Sequence, residues 1–194
     1  MQKIMLMGDS ITEYMPYIFK GSIGNSVDEV KYVGIENIGV GYYVNYVWPR
    51  IKNEAIDTYV LLIGINNILR PDCDDDGKES LDDLIDKLKG LIIQIVNNGS
   101  SRLIVQSIYP TKYFEANEKI VYVNKNIKIF CDKMGIEYLD LYSLLRDEDG
   151  LFNKRYSDDG IHPNDNGYSI VAQEINKQLK ITFSKKLSLE KNVF

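Results

Sequence analysis

The sequence predicts an α/β fold: a three-layer α/β/α sandwich around a five-stranded, mainly parallel sheet. Three observations lead there. Short, continuous apolar runs each end abruptly in a turn, as strands buried on both faces do. Segments with helical spacing of apolar residues lie between them, and strand–helix alternation implies crossover connections. The loops that follow the apolar runs hold the chemically pointed residues, and such loops gather at the carboxyl edge of a parallel sheet.

The first run is Ile4-Met5-Leu6-Met7, ending at Gly8-Asp9-Ser10. A second strand is expected within residues 30 to 38. Val60-Leu61-Leu62-Ile63 ends at Gly64, Leu103-Ile104-Val105 ends near Ser107, and Ile136-Glu137-Tyr138-Leu139 ends at Asp140. Val44, Val47, Trp48 and Ile51 are spaced i, i+3, i+4, i+7. A longer stripe runs Leu81, Leu84, Ile85, Leu88, Leu91, Ile92, Ile95, with Ser80 and Asp83 placed as an N-terminal cap. Ile120, Val123, Ile127, Phe130 and Met134 make a third stripe, and Tyr168, Val171, Ala172, Ile175 and Leu179 a fourth. Residues 1–180 read as a single domain. The tail from Ile181 to Phe194 loses its period and reads as a frayed end or a small docking segment.

Composition narrows the functional classes. The 194 residues are 44% hydrophobic and 26% charged, an ordinary globular balance. The net charge of −5 argues against a nucleic-acid partner, which normally meets a basic face. No apolar run reaches the ~18 residues of a membrane span. The apolar start, residues 1–7, is too short for a signal segment, so a cytoplasmic location is expected. Cys73 and Cys131 suit unpaired thiols in a reducing compartment. One histidine and two distant cysteines cannot build an ordinary zinc site. The acidic run Asp72, Asp74, Asp75 and Asp76 reads as a solvated loop before the helix at Ser80, with weak calcium binding as the alternative. No glycine-rich phosphate cradle is present, and no metal or cofactor is expected.

His162 is the only histidine. It stands three residues after Asp159, and Ser10 follows the first strand. Serine is a weak nucleophile until a base takes its proton, imidazole is the usual base at neutral pH, and a carboxylate usually fixes its tautomer. Ser10, His162 and Asp159 together therefore have the parts for acyl transfer, although each alone is a weak signal.

Four blocks in order resemble the SGNH (GDSL-type) hydrolase superfamily, across residues 4 to about 179. They are Gly8-Asp9-Ser10, Asn37-Ile38-Gly39-Val40-Gly41, Gly64-Ile65-Asn66-Asn67 and Asp159-Gly160-Ile161-His162. The resemblance implies a flavodoxin-like sheet, Ser10 as nucleophile, His162 as general base and Asp159 as its orienting carboxylate. It also implies an oxyanion hole made of the Ser10 N–H, a backbone N–H of the glycine block and the Asn66 side-chain amide. Tetrahedral acyl intermediates need two or three such preorganised donors. Asp9 is expected to organise its loop.

Two departures stand out. Asn67 occupies a position where the family usually has Asp. The family's common Asn-x-Gly-x-x-Gly spacing places its second glycine at Tyr42, whereas this chain has Gly41. Gly41 is taken as the second backbone donor, with Gly39 and the Tyr42 amide as alternatives. Asp158 is the alternative to Asp159.

Fourteen tyrosines are present. Tyr14, Tyr42, Tyr43, Tyr109 and Tyr113 lie in or near the active-edge loops, and Tyr42 and Tyr109 are the candidate substrate contacts. Bulky loops without an evident acyl tunnel suit a short acyl group, such as acetyl, on a carbohydrate or similar small polar molecule. The alternatives are a lysophospholipase or thioesterase on longer chains, an O-acyltransferase, and a non-catalytic binding module.

Overall fold

The computed structural model describes residues 2–23, 29–74, 79–99 and 101–190. Its strands are β1 (Lys3–Gly8), β2 (Glu29–Gly34), β3 (Thr58–Leu62), β4 (Arg102–Gln106) and β5 (Glu137–Leu139). All neighbours pair in parallel, in the order β2-β1-β3-β4-β5. The central strands have continuous apolar runs: Ile4 to Met7 and Tyr59 to Leu62 are all buried. The edge strand β2 is only half-buried, and its Glu29 and Lys31 belong to a small ion-pair group with Lys3 and Glu54. Charge on an edge strand discourages pairing with another chain.

The helices are α1 (Ser10–Ile18), α2 (Val40–Tyr42), α3 (Trp48–Ile51), α4 (Ile65–Leu69), α5 (Leu81–Asn97), α6 (Phe114–Met134), α7 (Tyr142–Leu145) and α8 (Asp165–Glu190). Helix α5 opens with the expected capping box: Asp83 N–H donates to Ser80 Oγ, and Ser80 N–H donates back to Asp83. Its apolar stripe from Leu84 to Ile95 faces the core. Helix α6 stops at Gly135, whose φ of 67° is left-handed. The stripe of α8 is buried at all five expected positions. Its backbone stays helical through 181–190, where no period is visible in the sequence, and the last four residues lie outside the described part.

The expected helix at Val44–Ile51 differs in detail. Residues Tyr43–Val47 form a π-helical segment between α2 and α3, with the Trp48 N–H donating to the Tyr43 carbonyl. Pro49 follows at once. Proline lacks an N–H and clashes with the carbonyl four residues back, and a π turn absorbs that conflict. The extra residue rotates the apolar face, so Val40 and Tyr43 are buried while Val44 is only half-buried.

The chain runs from β1 to β2 on one side and then to β3 on the other, so the connections diverge at β1. Ligand crevices open at such a point, beyond the carboxyl ends of the strands. Register brings those ends level: Gly8 pairs with Gly34 and with Leu62. The loops after β1, β2 and β3 therefore emerge side by side. Among the described residues, no helix is long and apolar enough to cross a membrane.

Candidate active site

Ser10 opens α1 directly after β1. Asp9 caps that helix, its Oδ1 accepting the Ile11 N–H at 3.1 Å. Although 152 residues separate them, Ser10 Oγ lies 2.9 Å from His162 Nε2. On the other side of the ring, His162 Nδ1 is 2.7 Å from Asp159 Oδ2.

A local turn makes the second contact. Asp159 Oδ1 accepts the N–H groups of Ile161 and His162, each at 2.8 Å. Ser157 Oγ donates to the His162 carbonyl and accepts from the Gly160 N–H. The Lys112 N–H holds the Gly160 carbonyl, tying this turn to the loop after β4. Tyr168 reaches from α8 to the Ile11 carbonyl, so α8 and α1 are fastened together next to the serine.

Partial burial pulls the Asp159 carboxyl up. The hydrogen bonds from the His162 ring and from the His162 and Ile161 amides outweigh that and bring it down to about 2. Ionised, it can only accept, so Nδ1 carries the ring proton and the Nε2 lone pair faces Ser10. Asp158 does not compete, because its Oδ1 accepts from Asn164. Tyr14 lies against the imidazole with ring centroids 5.1 Å apart, and its hydroxyl donates to Glu36 at 2.6 Å.

Beyond β3, Gly64 adopts φ 121°, a left-handed value that suits glycine, and turns the chain into α4. Asn66 sits in the first turn of that helix. Its Nδ2 donates to the Ile38 carbonyl at 2.9 Å, while its Oδ1 accepts from Arg70, which also holds the Asn37 carbonyl. Opposite partners on the two ends of the amide fix its orientation.

The glycine block corrects one expectation. The Gly41 N–H is not turned to a ligand: it donates to Asp74 Oδ2 at 2.8 Å. The Tyr42 N–H donates to Asp74 Oδ1 at 3.0 Å, and the Val40 N–H to Asn67 Oδ1 at 3.0 Å. Three successive amides, those of Val40, Gly41 and Tyr42, are thus held by side chains. A Cβ on Gly39 would meet Asp74 Oδ1 at 2.4 Å and Cys73 Sγ at 2.6 Å, so a larger residue would force the loop apart.

The sequence profile of the GDSL-like Lipase/Acylhydrolase family matches residues 6–170. The chain belongs to this family. It is therefore a carboxylic ester hydrolase. Among curated proteins, none matches the chain in sequence. Its fold is similar to that of a GDSL-like lipase from Bacteroides thetaiotaomicron VPI-5482, with a TM-score of 0.79, 20% identity and coverage of 93% of this chain and 89% of the other. It is also similar to Axe2, an acetylxylan esterase from Geobacillus stearothermophilus, with a TM-score of 0.71, 17% identity and coverage of 91% and 93%.

The two substrate-contact tyrosines separate. Tyr109 is 1% exposed and its hydroxyl donates to Gln106 Oε1, so it packs the interior of this GDSL-like hydrolase and offers no face to a ligand. Tyr43 is likewise buried, donating to the Val33 carbonyl. Periodicity could not reveal this, because both follow strand or turn residues and dip into the core beneath the loops. Tyr42 stands at the surface, tilted against Tyr46 with centroids 4.9 Å apart. A cleft of about 530 Å³ opens beside the histidine, lined by Ile18, Asp158, Asp159, His162, Pro163, Asn164, Asp165 and Asn166.

The acidic run differs in part from the solvated loop expected: Asp72 is exposed, whereas Asp74 is not. The Asp74 side chain is buried, with both oxygens occupied by N–H donors; Asp75 and Asp76 lie outside the described residues. Arg70 was missed as a site residue, Asp74 was read only as part of the acidic loop, and Tyr14 was placed at the active edge without its contact to His162. The one signal for Asp74 was the Asn at position 67, which left a carboxylate unaccounted for.

Proposed function

We propose that the protein is a serine esterase that removes a short acyl group, acetyl in the first instance, from a carbohydrate or similar polar alcohol through an acyl-enzyme. The observation that carries this reading is the unbroken hydrogen-bonded chain Ser10–His162–Asp159 at the mouth of the β1 switch point.

Ser10 Oγ attacks the ester carbonyl as its proton passes to His162 Nε2. The resulting imidazolium is held by the Asp159 carboxylate. The tetrahedral oxyanion receives the Ser10 N–H, the Gly39 N–H and the second N–H of Asn66 Nδ2, the first being committed to Ile38. Collapse expels the alcohol, which takes the proton from Nε2. Water, deprotonated by the same imidazole, then releases the acid and restores Ser10.

The leaving alcohol departs on the histidine side. There the cleft carries Asp158, Asp159 and Asp165 beside Asn164 and Asn166. Such a wall repels phosphate-bearing leaving groups, such as a phospholipid head or a coenzyme, and suits a neutral polyol. The exposed Tyr42–Tyr46 pair offers flat apolar faces of the kind sugar rings stack on.

The test is hydrolysis of p-nitrophenyl esters from acetyl to palmitoyl, with Ser10→Ala as control, followed by acetylated oligosaccharides. Serine-dependent turnover that falls steeply beyond butyryl supports the reading. A rise with chain length moves it to lipids or thioesters.

A further inference from the structure

We propose that Asp74 is a positioning residue for the oxyanion hole, standing in for the carboxylate that position 67 lacks; this rests on the esterase reading above. The donor–acceptor pairing supports it. A carboxylate only accepts, and Asp74 accepts three N–H groups: Gly41 (2.8 Å) and Asn67 Nδ2 (2.8 Å) on Oδ2, and Tyr42 (3.0 Å) on Oδ1. Asn67 completes the pattern in both directions. Its Oδ1 takes the Val40 N–H, and its Nδ2 serves Asp74 and Glu79 together.

An aspartate at 67 would place a third carboxylate against Asp74 and Glu79 and remove the N–H groups that both accept, so asparagine at 67 matches the carboxylate at 74. The charge has moved from the motif to a loop seven residues downstream, whose side chain is 4% exposed.

The consequence lies at Gly39. With Val40, Gly41 and Tyr42 held, the turn that starts at Gly39 has one arrangement, and Asp74 itself packs where a Gly39 side chain would be. Rigid donors are what stabilise an oxyanion, since they need not reorganise as charge develops. Negative charge near that oxyanion is adverse. Lys87 offsets it, its ammonium lying 2.9 Å from Glu79 and 3.8 Å from Asp74.

The experiment compares Asp74→Asn, Asn67→Asp and the double exchange Asp74→Asn/Asn67→Asp in the full chain. kcat and KM are measured on p-nitrophenyl acetate, and amide exchange at Gly39, Gly41 and Tyr42 is followed by NMR. Asp74→Asn is expected to lower kcat about 10- to 100-fold with KM nearly unchanged, and to speed exchange at Gly41 and Tyr42. Asn67→Asp alone is expected to do the same, and the double exchange, which returns a donor–acceptor contact between positions 67 and 74 but leaves the Gly41 or the Tyr42 N–H without its acceptor, should recover only part of the loss. Undiminished kcat or protection in Asp74→Asn overturns the proposal. A wild-type enzyme without Ser10-dependent hydrolysis overturns the esterase reading instead, and the exchange data then report whether Asp74 holds the loop.

Discussion

The imidazole of His162 rests against the ring of Tyr14, with centroids 5.1 Å apart and planes inclined at 47°. An aromatic face favours a cation beside it, and the imidazole becomes one in the proposed acyl transfer. Tyr14→Leu is expected to lower kcat several-fold, roughly 3- to 10-fold. Tyr14→Phe, which keeps the ring and loses only the Glu36 contact, should stay near wild type. Equal losses in the two variants would assign the effect to the hydroxyl.

Ser10→Ala and His162→Ala should each remove turnover by several orders of magnitude, and the pair should cost no more than either alone, because the two act as one unit. Asp159→Asn should cost about 10²- to 10⁴-fold, since an amide can present its N–H to Nδ1 and reverse the tautomer. Steady-state kinetics on one activated ester measures all of these.

Asn66→Ala removes a side-chain donor and leaves the fold's contacts with Ile38 and Arg70 to water. A loss of about 10²–10³ in kcat is expected with little change in melting temperature. Gly41→Ala, by contrast, should act through the Asp74 contact, since its amide serves that carboxylate. Its cost should therefore appear in the melting temperature together with kcat.

Asp9 supplies a pH test of stability. Burial pushes its carboxyl up from 3.8 to about 7, opposed by the Ile11 amide and the charge of His162, and its Oδ2 has no hydrogen-bond partner among the described residues. Between about pH 4 and pH 7 the folded state holds a proton that the unfolded chain has released, so stability declines as pH rises through this window. Asp9→Asn keeps the capping oxygen and loses the titration. Wild type should therefore lose stability relative to the variant from pH 5 to pH 8, on the order of 2 kcal/mol. Parallel melting curves at the two pH values would rule this out.

Much of the site was legible because it is written locally. Asp159 meets His162 through a turn of four residues, and that spacing is visible in the sequence. Ser10 and Asn66 each follow a buried apolar run, and parallel strands deliver such positions to one edge. The helical stripes at Leu84–Ile95 and Tyr168–Leu179 were equally plain, since a long amphipathic period has few other readings. Helix α1 was not, because it starts on Ser10 and carries Pro16 inside it.

The sequence by itself determined the layered α/β architecture, the five strands and the residues able to form the Ser10–His162–Asp159 chain, because period and short turns act between neighbours. Only the tertiary structure decided which backbone amides of the glycine block are held by side chains and which tyrosines reach solvent. The Gly41 N–H donates to Asp74, 33 residues away, and Tyr109 turns inward to Gln106. A hydrogen bond between distant segments depends on where the sheet sets their loops, and neither composition nor periodicity records that distance.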